Sequence, residues 1–107
     1  MTEYRLVAEP HADLDVAAAF HWYENEQVGL GLEFLDELRA TYARVVEVPL
    51  QYQHLRSGIR RALTHRFPYA VYFGIEGDVI VVLAVLHASR DPAEWQRRTG
   101  QHDLGAD

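Results

Sequence analysis

Residues 69–87 read YAVYFGIEGDVIVVLAVLH. Valine, isoleucine and aromatic residues dominate both ends, and Glu76-Gly77-Asp78 between them has the chemistry of a tight turn. The spacing therefore predicts a hairpin of two antiparallel strands, Tyr69–Ile75 and Val79–His87. Val79–Leu86 is apolar on both faces, which marks a central strand covered on both sides. It is strand-sized, and no run of about 18 uncharged apolar residues exists anywhere in the chain.

Working back from the hairpin, Ile59–Phe67 alternates as a strand, with Ile59, Leu63 and Phe67 on one face and Arg60, Ala62, Thr64 and Arg66 on the other. Arg61 and His65 intrude on the apolar side. Even spacing puts Arg60 and Arg66 on one strand face, where they could pair with acidic residues of a partner or simply be solvated. Upstream, Pro49 ends a helix over residues 32–48 whose apolar row is Phe34 or Leu35, Leu38, Tyr42, Val45 and Val46. Gly29 and Gly31 separate it from an earlier helix over Ala12–Glu26, with Pro10 near its first turn. That helix carries Leu14, Ala18 and Trp22 as an i, i+4 row beside Ala17, Phe20 and His21, while Asp13, Asp15, Glu24 and Glu26 can face water. Tyr4–Ala8 is a short strand. The two helices, joined by a glycine-bearing turn, form an antiparallel hairpin.

Downstream of the hairpin, Asp91 can cap and Pro92 can open a short C-terminal helical turn holding Trp95. Trp95 either closes the core or stands out as an aromatic anchor for a partner. Residues 99–107 read as a frayed tail. The order is β-α-α-β-β-β, an α+β fold with the helical hairpin packed on a mainly antiparallel sheet. One domain over residues 1–98 is expected.

Composition limits what such a domain does. The chain has 107 residues and no cysteine, so it is expected to fold as one unit without disulfides. Residues 1–50 hold three arginines against ten acids, a charge of −7, and residues 51–107 hold seven arginines against six acids, +1. Lysine is absent and the net charge is −6. That acidity argues against a broad, sequence-independent grip on nucleic acid, though it leaves room for a local arginine patch. The opening MTEYRLVAEP has no basic stretch followed by an apolar one, so a cytoplasmic protein that neither enters nor crosses a membrane is expected.

Sites for covalent or metal chemistry find little support. His11, His21, His54, His65 and His102 show no spacing that resembles zinc ligands. Ser57 and Ser89 lack the G-x-S-x-G frame, and no glycine-rich phosphate loop occurs. No metal and no cofactor is expected. His87, ending an apolar strand, is either a hydrogen-bonded structural residue, a partner contact or a proton shuttle.

Phe67–Trp95, FPYAVYFGIEGDVIVVLAVLHASRDPAEW, resembles the C-terminal half of ParE-like members of the RelE/ParE toxin superfamily: an FPY strand, a hairpin, an apolar strand ending in His, then RDP and a tryptophan. ALTHRF, FLDELRATYARVVEVP and DVAAAFHWYE upstream resemble the corresponding family segments, so the likeness covers residues 4–98. The resemblance implies the toxin of a type II toxin–antitoxin (plasmid stabilisation) system, silenced by a cognate antitoxin. It leaves two targets open. ParE-like proteins poison DNA gyrase without being enzymes; RelE-like proteins cut messenger RNA in the ribosomal A site. A third possibility is a non-toxic relative that keeps only antitoxin recognition.

RNA cleavage needs a base for the 2′-hydroxyl, cations for the phosphorane and an acid for the leaving oxygen. Here Tyr69 holds the position where RelE-like relatives often place an arginine. His87, Arg90 and Arg66 would have to serve in a ribonuclease. The favoured expectation is a gyrase-binding poison with no catalytic residues, using Arg60, Arg61, Arg66, His87, Arg90 and Trp95 to bind antitoxin or target. Little non-specific nucleic-acid binding is expected.

Overall fold

The computed structural model describes residues 2–90 and 92–100. The expected α+β architecture is present, with one strand more than the sequence suggests. In chain order the elements are β1 (Arg5–Ala8), α1 (Pro10–Glu26), α2 (Leu30–Glu47), a 3₁₀ turn (Pro49–Gln51), β2 (Gln53–Arg56), β3 (Ile59–Leu63), β4 (Tyr69–Glu76), β5 (Val79–His87) and α3 (Pro92–Thr99). The sheet runs β1-β5-β4-β3-β2, antiparallel except where β1 joins β5 in parallel. No helix among the described residues is long and apolar enough to cross a membrane.

Val79–His87 is the interior strand its composition predicts, with β1 on one side and β4 on the other. It is buried on both faces because both layers of the fold lie against it. Ile80, Val82 and Val85 join Phe73, Leu38 and Val45 under α1 and α2. Leu83, Ala84 and Leu86 face the other way, toward Tyr72 and Trp95 under α3. A bulge makes the change of phase: Tyr72 pairs with Ala84 but Phe73 with Val82, so Leu83 is the extra residue. Both Leu83 and Ala84 thereby reach the α3 side.

The strand absent from the sequence reading, β2, has no strong apolar alternation. It forms because Ser57 and Gly58 both take positive φ, 51° and 78°, the geometry of a two-residue hairpin turn that folds Gln53–Arg56 back onto β3. Strand β3 is also shorter than expected. It ends at Leu63, and Thr64 closes the following loop: its N–H donates to the Tyr69 carbonyl at 3.0 Å, and its hydroxyl donates to the Phe67 carbonyl. The predicted faces of β3 therefore do not extend to Phe67, which instead joins an aromatic cluster with Tyr23, Phe34 and Tyr69.

The helical hairpin is close-packed at its turn. A Cβ on Gly31 would stand 2.7 Å from a ring carbon of Phe20, so only glycine lets α2 start this near α1. Glu24 does not simply face water as expected. Its carboxylate accepts the N–H groups of Gly29 at 2.8 Å and Gly31 at 2.9 Å, satisfying donors at the start of α2.

The buried face of α1 is the principal correction. Ala12, Ala19 and Tyr23 are buried, whereas Leu14 and Trp22 are 66% and 58% exposed. The helix has two apolar rows. The tertiary fold buries the smaller one because alanines at 12 and 19 permit close approach to the sheet.

Burial raises the phenols of Tyr23, Tyr42 and Tyr69, with a large shift at Tyr42. Desolvation, reinforced by the nearby charges of Asp13 and Asp15, pushes the Tyr42 phenol up to about 12. A phenol raised in the fold relative to the unfolded chain stabilises the protein fully below the unfolded value near 10, and that contribution is lost as pH rises toward 12. Stability is therefore expected to fall between about pH 10 and 12, with Tyr42 ionising last in a 295 nm titration. Ionisation of every tyrosine at pH 10 in the folded protein would refute the burial.

Candidate functional site

The arginines expected to form a patch are dispersed and occupied. Arg60 turns toward the chain entering β2, donating to the Tyr52 carbonyl at 2.7 Å and the Leu50 carbonyl at 3.4 Å. Arg61 donates to the Gln53 side chain across the hairpin at 3.1 Å. Arg66 lies beyond the end of β3. It pairs with Glu33 of α2, and its guanidinium sits 5.0 Å from the centre of the Phe67 ring. The shared face for Arg60 and Arg66 does not exist, because even spacing gives a common face only while the strand continues.

Trp95 is likewise a core residue rather than a free anchor. It is 8% exposed and stacks on Tyr72 with centroids 5.3 Å apart and planes 14° from parallel. Thr99, placed in the tail by sequence, is buried and donates its hydroxyl to the Trp95 carbonyl at 2.8 Å. Residues 101–107 and the expected cap Asp91 lie outside the described residues.

His87 and Arg90 are the two expected site residues that the fold brings together. They border a cleft of about 510 Å³ with Trp22, Tyr23, Pro68 and Tyr69. The His87 ring meets Tyr69 edge-on, with centroids 5.4 Å apart. Its Nδ1 accepts the Ser89 N–H at 3.2 Å and lies 2.7 Å from the Ser89 hydroxyl. An Nδ1 that accepts a backbone N–H leaves the neutral ring's proton on Nε2. Burial pushes the Tyr69 phenol up, and Arg90 offsets part of that shift. Tyr69 is thus a neutral hydroxyl at ordinary pH, able to donate a hydrogen bond but poor as a base. Arg90 is shared with Glu94 at 3.7 Å.

This cleft continues along α1. A second hollow, lined by Asp15, Ala18, Trp22, Val85 and His87 among others, shares Trp22, Tyr69, His87 and Arg90 with the first. A third, lined by His11, Leu14, Asp15, Arg97 and Arg98, shares Asp15 with the second. Asp15 is the joint. Its carboxylate takes both guanidinium nitrogens of Arg98 at 3.0 Å and the Val85 N–H at 3.0 Å. The exposed row of α1 therefore forms one wall of a groove, α3 the other, and the end of β5 its floor. Sequence reasoning identified the Leu14, Ala18, Trp22 row but assigned it to the core. It had Asp15 facing water, whereas the side chain is mostly buried against Arg98 and the Val85 N–H, and it named neither Arg97 nor Arg98; the Asp15–Arg98 pairing spans most of the chain.

Among the described residues no group of three or more His, Asp or Glu side chains is placed to hold a metal ion. The groove offers apolar and aromatic surface, arginines near both ends that share Glu94, and two imidazoles, His11 and His87. Chemically it is better equipped for holding another polypeptide than for moving protons.

Comparisons with known proteins agree with this architecture. A family model described as the ParE toxin of the type II toxin–antitoxin system parDE matches residues 6–92. A solved structure described as the chromosomal ParDE TA system from P. aeruginosa superposes with a TM-score of 0.73 at 18% identity, covering 81% of this chain and 98% of that one. No curated protein matches.

Proposed function

This chain belongs to the ParE toxin family of type II toxin–antitoxin systems, and on that premise we propose that it poisons DNA gyrase by binding and is neutralised by a cognate antitoxin in the cytoplasm. The observation that carries this reading is the occupancy of the cleft. Its one arginine is shared with Glu94, its imidazole is tied to Ser89, and a neutral phenol stands at Tyr69. In-line cleavage of RNA needs a proton acceptor and unpaired cations around one phosphate, and this set supplies neither well. A binding poison needs only a surface that fits a vulnerable intermediate, such as gyrase holding cleaved DNA.

The second reading, a ribosome-dependent ribonuclease, draws support from the convergence of His87, Arg90 and Tyr69 on one cleft. Both readings meet in one pair of assays. The purified chain is expected to inhibit gyrase supercoiling or accumulate cleaved DNA, and to leave messenger RNA intact on programmed ribosomes. Trp22→Ala is expected to weaken the gyrase effect with the fold intact, since Trp22 is exposed, while His87→Ala changes it little. Ribosome-dependent cleavage that vanishes in His87→Ala, with gyrase unaffected by the wild-type chain, would reverse the assignment.

A further inference from the structure

We infer that the outer edge of β1 is self-complementary, and that a second copy of this chain pairs on it, antiparallel, about a two-fold axis at Val7. Strand β1 ends one side of the sheet and has β5 as its neighbour. The N–H groups of Arg5 and Glu9 donate to the Asp78 and Val82 carbonyls at 3.0 and 2.9 Å. Successive residues of a strand present their backbone groups to opposite edges, so those of Val7 also face β5 and those of Leu6 and Ala8 point outward. Among the described residues nothing outside the sheet bonds to these outward groups. The side chains of Leu6 and Ala8 pack on the core beneath the helices. Val7 stands on the other face, 41% exposed, and lines a hollow of about 340 Å³ with Glu9, Val79 and Val81. The opposite edge of the sheet is blunted. Strand β2 carries a bulge between His54 and Arg56, and Arg60 holds the carbonyls of Leu50 and Tyr52 on the approach to it.

Backbone parity and charge select the register. Outward groups of one copy must meet outward groups of the other, so even-numbered residues pair with even-numbered ones. With the axis at Val7, Leu6 exchanges its N–H and C=O bonds with the partner's Ala8, and Ala8 does so with the partner's Leu6. Val7 then faces the partner's Val7, and the exposed Arg5 faces the partner's Glu9 on both sides of the axis. Apolar meets apolar and each cation meets an acid. The neighbouring registers fail. An axis at Leu6 sets Glu9 against the partner's Glu3, and one at Arg5 sets Arg5 against the partner's Arg5. An axis at Ala8 brings the partner's Pro10, which has no N–H, opposite Leu6. The contact is small, so the dimer is weak and concentration-dependent.

The test uses the full chain. Sedimentation equilibrium from micromolar to millimolar concentration should show monomer and dimer, with the amides of Leu6 and Ala8 gaining exchange protection as the dimer forms. The chain has no cysteine, so Val7→Cys introduces a single thiol. A facing pair without mutual hydrogen bonds holds its Cα atoms about 4.5 Å apart, within the span of a disulfide. Under mild oxidation Val7→Cys should cross-link about tenfold faster or more than Val28→Cys, although Val28 is 89% exposed. Val7→Lys sets two ammonium groups on the axis and should weaken association about tenfold or more, with the monomer still folded. Arg5→Glu and Glu9→Arg should each weaken it too, because each sets like charges opposite one another. Mixing these two variants should restore pairing as a heterodimer, in which every facing pair is again of opposite sign. A change that only damaged the start of α1 would not be rescued by mixing. A chain that stays monomeric throughout, equal cross-linking of Val28→Cys, or association that survives Val7→Lys would overturn the proposal. Leu6 and Ala8 amides protected equally at every concentration would give the edge to a segment of the same chain instead, and protection only on adding a second protein would give it to a partner strand.

Discussion

Phe34→Ala is expected to lower the unfolding free energy by about 3–5 kcal/mol, the cost of removing a buried aromatic ring and leaving a cavity. Phe34 is fully buried at the meeting point of the helical hairpin and the β3–β4 loop. Its ring lies 5.1 Å from Tyr69, 5.5 Å from Tyr23 and 5.6 Å from Phe67. Few backbone adjustments can fill the space, since α1 and α2 are already in contact at Gly31. For a domain of this size the loss corresponds to a fall in Tm of roughly 15–25 °C. Because Tyr23 and Tyr69 also border the cleft with His87, the truncation should loosen that cleft as well as the core. Urea unfolding measures the first effect, and hydrogen exchange at Tyr69 and His87 measures the second. A loss under 1 kcal/mol would mean that the aromatic cluster is not packed as described.

Asp15→Ala is expected to cost about 2–4 kcal/mol, because it strands a largely buried guanidinium and removes the partner of the Val85 N–H. The two side chains of the ion pair are 14% and 23% exposed, so Arg98 can recover part of the loss by swinging into water, which sets the lower bound. This carboxylate ties α1, β5 and α3 together. Its loss should undock α3, shift the buried Trp95 emission to the red and widen the groove. Arg98→Met added to Asp15→Ala should restore part of the stability, since no unpaired charge then remains. If the double variant is as unstable as the two single losses added together, the pair does not interact as the geometry requires.

How much of this was legible in advance depends on the range of the interaction. The α+β class, the helical hairpin, the interior position of β5 and the turn at Gly77 all follow from periodicity and turn chemistry within a few residues. The likeness to ParE-like toxins was carried by similarly local segments. Strand β2 was hidden because an edge strand exposed on its outer side needs no apolar alternation; its pairing with β3 comes from the Ser57-Gly58 turn. The site was read less well. His87 and Arg90 were identified, and the structure places them on one cleft; Arg60, Arg61 and Arg66 were identified as well, but the first two bond to the chain at β2 and Arg66 pairs with Glu33 of α2.

The sequence by itself determined the helical hairpin and the strands β1, β4 and β5, because φ, ψ preferences and the two periods, 3.6 and 2, are local properties. It also showed the Leu14, Ala18, Trp22 row of α1, but not the row of Ala12, Ala19 and Tyr23 that the fold buries. Only the tertiary structure decided which row is buried, that Trp95 belongs to the core, and that the acid at 15 meets the guanidinium at 98. The physical reason is that a pattern of side chains reports which faces can be buried, while the choice among them is made by packing energy summed over elements far apart in the chain. Small alanines let α1 approach the sheet on one side, and the larger Leu14 and Trp22 were left facing outward, where they form the wall of the groove.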